Sequence, residues 1–326
     1  MERRADIDRA KGLAILLVVF GHLVARADPA GVGWYEPLRR AVYCFHMPFF
    51  FYLSGLVLML SGAALRPAPG WVGRRAMRLL VPFAAMGLLV VIGKYVLARW
   101  MFVDHPPVAL GEGLSRLVWH TGESPDGSIW YLAVLFAYSV AVPVVLGGDA
   151  RRLGWVMALC VGLFFVAVPD DVYGGQMARY AVFFCAGLLA GAHDAGWMRY
   201  LRRYWRVWLV IFLGLVAVAV WAGRAIPGLM LPAGLCAIPA LHGLVRFSGL
   251  RFSRTLLWLG RYCFMIYLFN TIFIGLAKGL LLRVTDWDGG HFLPFAMCLM
   301  LAGVLGPVGL KRYAFRRLGR WDRLTD

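Results

Sequence analysis

Roughly ten apolar stretches follow one another along this chain, at 12–26, 42–61, 78–98, 129–146, 153–168, 177–193, 207–222, 227–245, 256–277 and 291–310, joined mostly by short loops. Lipid gives a backbone N–H or C=O nothing to bond to, so a segment that crosses it must satisfy its own polar groups as a helix or in a closed barrel. Continuous apolar runs of this length point to helices. The expected fold is therefore an all-α, polytopic integral membrane bundle of about ten transmembrane helices. With 61% hydrophobic residues and a mean hydropathy of +0.70, no stretch reads as a separate water-soluble unit, and residues 1–326 are expected to form a single domain. Nothing before Leu13 resembles a long basic leader, so the first stretch is expected to be retained.

The formal net charge of +17 invites a nucleic-acid partner, but its distribution argues against one. Placing the N-terminus in the cytoplasm gathers Arg4, Arg9, Lys11, Arg74, Arg75, Arg78, Arg151, Arg152, Arg202, Arg203, Arg251, Arg254, Lys311 and Arg312 on one side. Asp28, Glu36, Asp104, Glu112, Glu123, Asp126, Asp170, Asp171, Asp286 and Asp288 fall on the other. This is the positive-inside asymmetry, and it predicts both termini in the cytoplasm and residence in the cytoplasmic (inner) membrane. The excess charge then serves orientation and contact with anionic membrane lipids, with some left for an anionic cytoplasmic substrate. The C-terminal run Lys311–Leu318 alternates cations with aromatics and is expected on the inner membrane surface. All six cysteines lie in or beside apolar stretches without a CxxC pair, which suggests small buried hydrophobes and neither a disulfide framework nor a metal site.

The first stretch carries the residue that points to chemistry. Eleven positions separate Lys11 from His22. At ~1.5 Å per residue that is ~16 Å, about half a hydrocarbon core, and eleven steps of ~100° return to nearly the same face. A titratable imidazole thus stands near mid-bilayer with Lys11 and Asp8 below it. An ionisable residue at that depth is a functional candidate by default.

The second stretch opens Cys44-Phe45-His46-Met47-Pro48-Phe49-Phe50-Phe51 and continues to Ser54-Gly55. Pro48 suits a first helical turn, and Ser54-Gly55 makes a small patch where another helix can approach. His46 is either an interfacial histidine bonded to a carbonyl or a ligand for a substrate. Arg75 and Arg78 are three apart on one helix face, beside Arg74. Arginine forks suit phosphate oxygens, although positive-inside anchoring explains many such clusters. The longest polar segment, 99–128, is expected outside, with a short amphipathic helix around 110–120; segments of this kind tend to bind ligands. Trp130 and Tyr131 follow it, as belt aromatics or as a platform for a sugar ring. No histidine is followed by aspartate five positions on, and there is no Gly-x-Ser-x-Gly elbow, Walker A loop or HExxH.

Together these motifs resemble the acyltransferase 3 family of integral membrane acyltransferases, in its fucose 4-O-acetylase-like and exopolysaccharide O-acetyltransferase branch. The matching residues are Asp8-Arg9-Ala10-Lys11-Gly12 with His22, Phe45-His46-Met47-Pro48 running into Ser54-Gly55, Arg75-x-x-Arg78, Ser128-Ile129-Trp130-Tyr131-Leu132, and Leu259-Gly260-Arg261-Tyr262 with Ile266-Tyr267-Leu268. They span most of the chain in the family's order. The resemblance implies acetyl-CoA or another acyl-CoA as donor, used from the cytoplasm without a metal. It also implies a carbohydrate hydroxyl as acceptor, on a surface polysaccharide or its lipid-linked precursor. His22 would be the catalytic histidine, supported by Lys11 and Asp8. Arg75, Arg78 and Arg74 would hold the donor's phosphates, with Arg251 and Arg254 in reserve. His46, Trp130, Tyr131 and Asn270 would meet the acceptor. Members often carry Ser and then Tyr-Leu-x-His near their end; here Cys263 and Tyr267-Leu268-Phe269-Asn270 stand instead. His22 would act either as general base on the acceptor or as a covalent carrier of the acyl group. Two further readings remain at this point: an acyltransferase for a small molecule or lipid, and a multi-pass transporter.

Overall fold

The computed structural model describes residues 4–23, 32–100, 103, 106–121, 129–223, 226, 228–249 and 251–315. Among these the regular backbone is helical. In chain order the helices are α1 (Ala5–Gly21), α2 (Tyr35–Tyr43), α3 (His46–Leu60), α4 (Trp71–Leu97), α5 (Leu110–Val118), α6 (Trp130–Leu146), α7 (Leu153–Phe164), α8 (Gly174–Ala192), α9 (Asp194–Trp221), α10 (Met230–Phe247), α11 (Ser253–Arg261), α12 (Cys263–Leu281) and α13 (Phe292–Tyr313). Single 3-10 turns lie at Ala150–Arg152 and Asp171–Tyr173.

The ten apolar stretches fall on helices, with 256–277 broken at Tyr262 into α11 and α12, and fewer than ten of these helices have the length and apolarity to span. Among the described residues, six segments are long and apolar enough to cross a membrane alone: Tyr35–Leu60, Trp71–Leu97, Asp194–Trp221, Met230–Phe247, Cys263–Leu281 and Phe292–Tyr313. Trp130–Leu146 and Ala150–Phe164, bent by 112° at their break, make a seventh if they count as one span. The chain is thus an integral multi-pass membrane protein. α1 differs from its expected bounds: it starts at Ala5 and stops at Gly21. With Asp6, Asp8, Arg9 and Lys11 in its first turns, α1 is polar where a lipid-facing helix would be apolar, and the bundle encloses it. It touches α2, α3, α10, α11, α12 and α13.

The outer helices are built the other way round. On α9, Val207, Val210, Ile211, Leu213 and Trp221 are exposed, and on α13 Leu293, Met297, Leu301 and Leu305. Rows of exposed aliphatic side chains on long helices suit hydrocarbon and not water. The predicted amphipathic helix of the 99–128 segment is α5, whose Leu117 sits against Gly87 of α4.

Two close backbone crossings set the interior. A Cβ on Gly12 would overlap the Leu256 carbonyl oxygen, and a Cβ on Gly260 would overlap that of Asp8, so α1 and α11 meet backbone to backbone. α3 and α8 meet in the same way, Gly55 against the Phe184 carbonyl and Gly187 against that of Tyr52. In lipid, apolar side chains gain little by associating, and small residues allow the close packing that holds helices together.

Gly260→Val is therefore expected to lower the thermal midpoint of the detergent-purified protein, by the ~1–3 kcal/mol or more typical of overpacking. Gly214→Ala, on α9 with nothing within 4 Å, is the matched control and should not lower it. Equal midpoints for both variants would refute the crossing as a stability determinant.

Candidate active site

α1 is held at both ends by polar side chains from distant elements. At its start Asp6 is almost fully buried, with Arg4 at 2.9 Å, Arg246 at 3.3 Å and His242 Nε2 at 3.4 Å. Arg4 also pairs with Asp194 at 2.7 Å, and its hydrogen bond to Asp6 raises its already high pKa. From His242 the chain of bonds continues inward. Its Nδ1 is 2.6 Å from the Tyr52 hydroxyl, and that oxygen accepts from Trp197 Nε1 at 2.8 Å. Donation from His242 Nε2 to the carboxylate leaves Nδ1 to accept the Tyr52 proton, so each buried polar atom in the row has a partner.

At its other end α1 runs out of intrahelical partners for its last carbonyls. Tyr35 and Tyr43, on one face of α2, supply hydroxyls: Tyr35 donates to the Phe20 carbonyl at 2.8 Å and Tyr43 to that of Gly21 at 3.2 Å. His22 follows as the C-cap residue, its own N–H still bonded back to Val18 and Val19. α1 is helical throughout, so Lys11 and His22 do share a face, ~16 Å apart along the axis. At that separation Lys11 is out of hydrogen-bond reach of His22.

The His22 end gathers more residues than the sequence reading singles out. The Tyr43 ring lies edge-on to His46, centroids 4.8 Å apart. His46 is buried and its Nδ1 donates to the Val42 carbonyl at 2.8 Å; since a carbonyl only accepts, Nε2 is left with its lone pair. Arg39 covers the Tyr43 ring at 5.2 Å and lies within electrostatic reach of His22. Glu36 binds Arg39 at 2.5 and 2.7 Å.

A second cluster forms between α3, α4, α6 and α12. Tyr131 is buried, hydrogen-bonded to Ser54 at 2.5 Å and packed on Phe51 and Tyr267. Trp130 is half-buried against Tyr180. Arg75 reaches inward from the start of α4 and donates to Ser139 at 3.1 Å, with Tyr131 in electrostatic reach. Arg78 and Arg74 stay exposed, and Arg74 donates to the Pro69 carbonyl at 2.9 Å. Cys263 faces Tyr131, Lys11 and Asp8 electrostatically. Asn270, two turns along α12, is fully buried. Its amide donates to the carbonyls of Ile266 and Tyr267, while Oδ1 meets no donor among the described residues. Arg251 and Arg254 lie exposed. Asp28, Asp104, Glu123, Asp126, Ser128 and the chain beyond Phe315 lie outside the described residues.

Three guanidinium groups lie near the start of α4, one turned inward onto Ser139 and two exposed; guanidinium forks suit phosphate oxygens. The site residues that the sequence reading does not single out are Asp6, His242, Tyr52, Glu36, Arg39 and Tyr43. His242 carries the same signal as His22, a histidine in the middle of an apolar run. Tyr35, Arg39 and Tyr43 are spaced as one helix face.

A family model for an acyltransferase domain matches residues 4–312. The chain is 28% identical to nodulation protein NolL of Mesorhizobium japonicum over 225 residues, which is 68% of this chain and 56% of that protein. It is 30% identical to nodulation protein NolL of Sinorhizobium fredii over 192 residues, 57% of this chain and 48% of that one. The matches thus span about half the length of these curated relatives. No solved structure matches the chain.

Tyr52→Phe removes the hydroxyl on which Trp197 and His242 converge and takes that partner from a buried imidazole nitrogen and a half-buried indole N–H. The expected cost is about 1–3 kcal/mol for each group left unsatisfied, read as a lower midpoint in thermal unfolding of the purified protein. An unchanged midpoint would show that this row of bonds does not hold α1.

Proposed function

The chain belongs to the acyltransferase 3 family, and on that premise we propose that it moves an acyl group, acetyl in the simplest case, from cytoplasmic acyl-CoA to a carbohydrate hydroxyl. The acceptor is a surface polysaccharide or its lipid-linked precursor, acetylated at the cytoplasmic membrane. The observation that carries this reading is a line of polar side chains through an otherwise apolar interior. It runs by hydrogen bonds from Arg75 to Ser139 and from Tyr131 to Ser54, with Cys263, Lys11 and Asp8 in electrostatic reach of one another; between Lys11 and His22 the residues of α1 are apolar.

In this reading both termini are cytoplasmic. Arg75 and Arg78, with Arg74 beside them, hold the phosphates of CoA at the basic rim, because that polyanion does not enter lipid. The slender pantetheine arm carries the thioester inward. His22 accepts the proton of the acceptor hydroxyl as the oxygen attacks the acyl carbonyl. The carbon–sulfur bond then breaks, and the departing thiolate takes the proton back from the imidazole. Lys11 and Asp8 set the charge on the face of α1 that leads to His22. Asn270 Oδ1, buried without a donor among the described residues, offers an acceptor for a substrate N–H or O–H.

His22→Ala is expected to cut transfer by ~10²–10⁴-fold, the range for loss of a general base, while the protein remains folded in the membrane. Lys11→Arg should keep most of the activity and Lys11→Glu should lose it. Normal transfer by a well-expressed His22→Ala protein would overturn the assignment.

Arg75→Ala and Arg78→Ala should each raise the acetyl-CoA concentration for half-maximal rate about tenfold or more, the loss of a charge-assisted bond, with acceptor dependence little changed. An unchanged donor dependence returns both residues to topology anchors. Mass spectrometry of surface glycans from cells with and without the protein identifies the acceptor. A changed lipid or small-molecule profile with unchanged glycans would refute the carbohydrate.

A further inference from the structure

α2 does more at the end of α1 than its tyrosines require. Tyr35 and Tyr43 already satisfy the last carbonyls of α1. Between them, on the same face at i+4, stands Arg39, four-fifths buried and bound through Nε and Nη2 to Glu36, which is itself 15% exposed. Glu36 also accepts from Arg40 at 2.8 Å. A charged pair of this kind adds only ~0.3–0.5 kcal/mol to a helix, and partial burial subtracts desolvation from that. Stability alone does not explain it.

Its position does. Tyr43, whose ring Arg39 covers, touches Gly21 immediately before His22 and lies edge-on to His46. The Arg39 guanidinium, with Glu36 bonded to it, is therefore held on the Tyr43 ring within electrostatic reach of the one histidine to which the proposed chemistry assigns a proton. The pair uses two of the five Arg39 N–H donors, and with Arg40 it uses three of the carboxylate's about four lone-pair sites, so Arg39 keeps donors and Glu36 one acceptor site for bonds outward. A planar acceptor beside a planar donor matches two neighbouring hydroxyls of a sugar ring, one donating and one accepting. Tyr131, by contrast, has spent its hydroxyl on Ser54 among packed aromatic rings.

We propose that Glu36 and Arg39 form the acceptor-recognition element of this enzyme, binding a vicinal diol of a neutral pyranose and presenting a third hydroxyl to His22. The inference rests on the carbohydrate reading above and adds the residues that select the sugar. Glu36 sets the donor–acceptor polarity of the pair, and Arg39 sets its spacing from His22 through the Tyr43 ring.

The test uses the full-length protein in lipid nanodiscs with acetyl-CoA. The acceptor probes are methyl glucoside, galactoside and mannoside, with the deoxy analogues that lack one hydroxyl of each diol. Product is read as acetyl mass on the sugar. Glu36→Gln and Arg39→Lys should raise the acceptor KM about tenfold or more while leaving the acetyl-CoA KM within about twofold. The deoxy sugar should lose affinity on the wild-type protein but little further on the variants, because the contact is already gone. An unchanged acceptor KM in both folded variants would overturn the proposal, as would a fall in kcat with both KM values unchanged. Two variants guard against one that fails to fold. If the wild-type protein acetylates none of the pyranosides, the carbohydrate reading itself falls, and the proposal with it. That outcome is distinct from turnover that is indifferent to Glu36 and Arg39.

Discussion

The molecule depends on one close approach, that of the α1 backbone to the α11 backbone. Gly12 and Gly260 are its two contact points, each facing a carbonyl of the other helix. No larger residue fits at either position without moving a helix. With α1 fixed there, its first turn can reach Asp194, His242 and Arg246, and its last turn can meet the tyrosines of α2. Lysine at one level and histidine ~16 Å higher then keep their separation by construction. A loop would not hold such a spacing; a helix clamped at both ends and in the middle does.

Much of the fold is legible in the sequence because membranes demand so much of it. Apolar runs mark most of the long helices, although they merge α11 with α12 and place α1 too far along the chain, and the amphipathic pattern finds α5. What the pattern does not separate is a helix that faces lipid from one that faces protein. α1 and α9 both read as spans, yet α1 is enclosed on all sides while α9 exposes Val207, Val210 and Trp221. Hydropathy reports average composition, and α1 carries four charged residues in its first turns that only protein neighbours can tolerate. The break of 112° between Trp130–Leu146 and Ala150–Phe164 is equally invisible to it, since the same residues would suit two straight spans.

The site divides in the same way. Lys11 and His22 are readable because a helix converts spacing into geometry. Arg75 and Arg78 are readable as a cluster, but only the structure separates the inward Arg75, bonded to Ser139, from the exposed Arg78. Tyr131 illustrates the limit: an aromatic at the start of a span reads as an interfacial residue, and its packing on Phe51 and Tyr267 depends on helices far away in sequence. Asp6 and His242 stand 236 positions apart, beyond the reach of any local pattern.

That separation also dictates an order of events at the ribosome. The first helix leaves the translocation machinery carrying a carboxylate whose distant partners, His242 and Arg246, have not yet been made. At about 5–20 residues per second, His242 emerges roughly 10–50 s after Asp6. Through that interval Arg4, two residues away, is the counter-ion at hand. Completion of the first helix therefore waits on the tenth, and the amino-terminal segment is among the last parts of the molecule to reach its final environment.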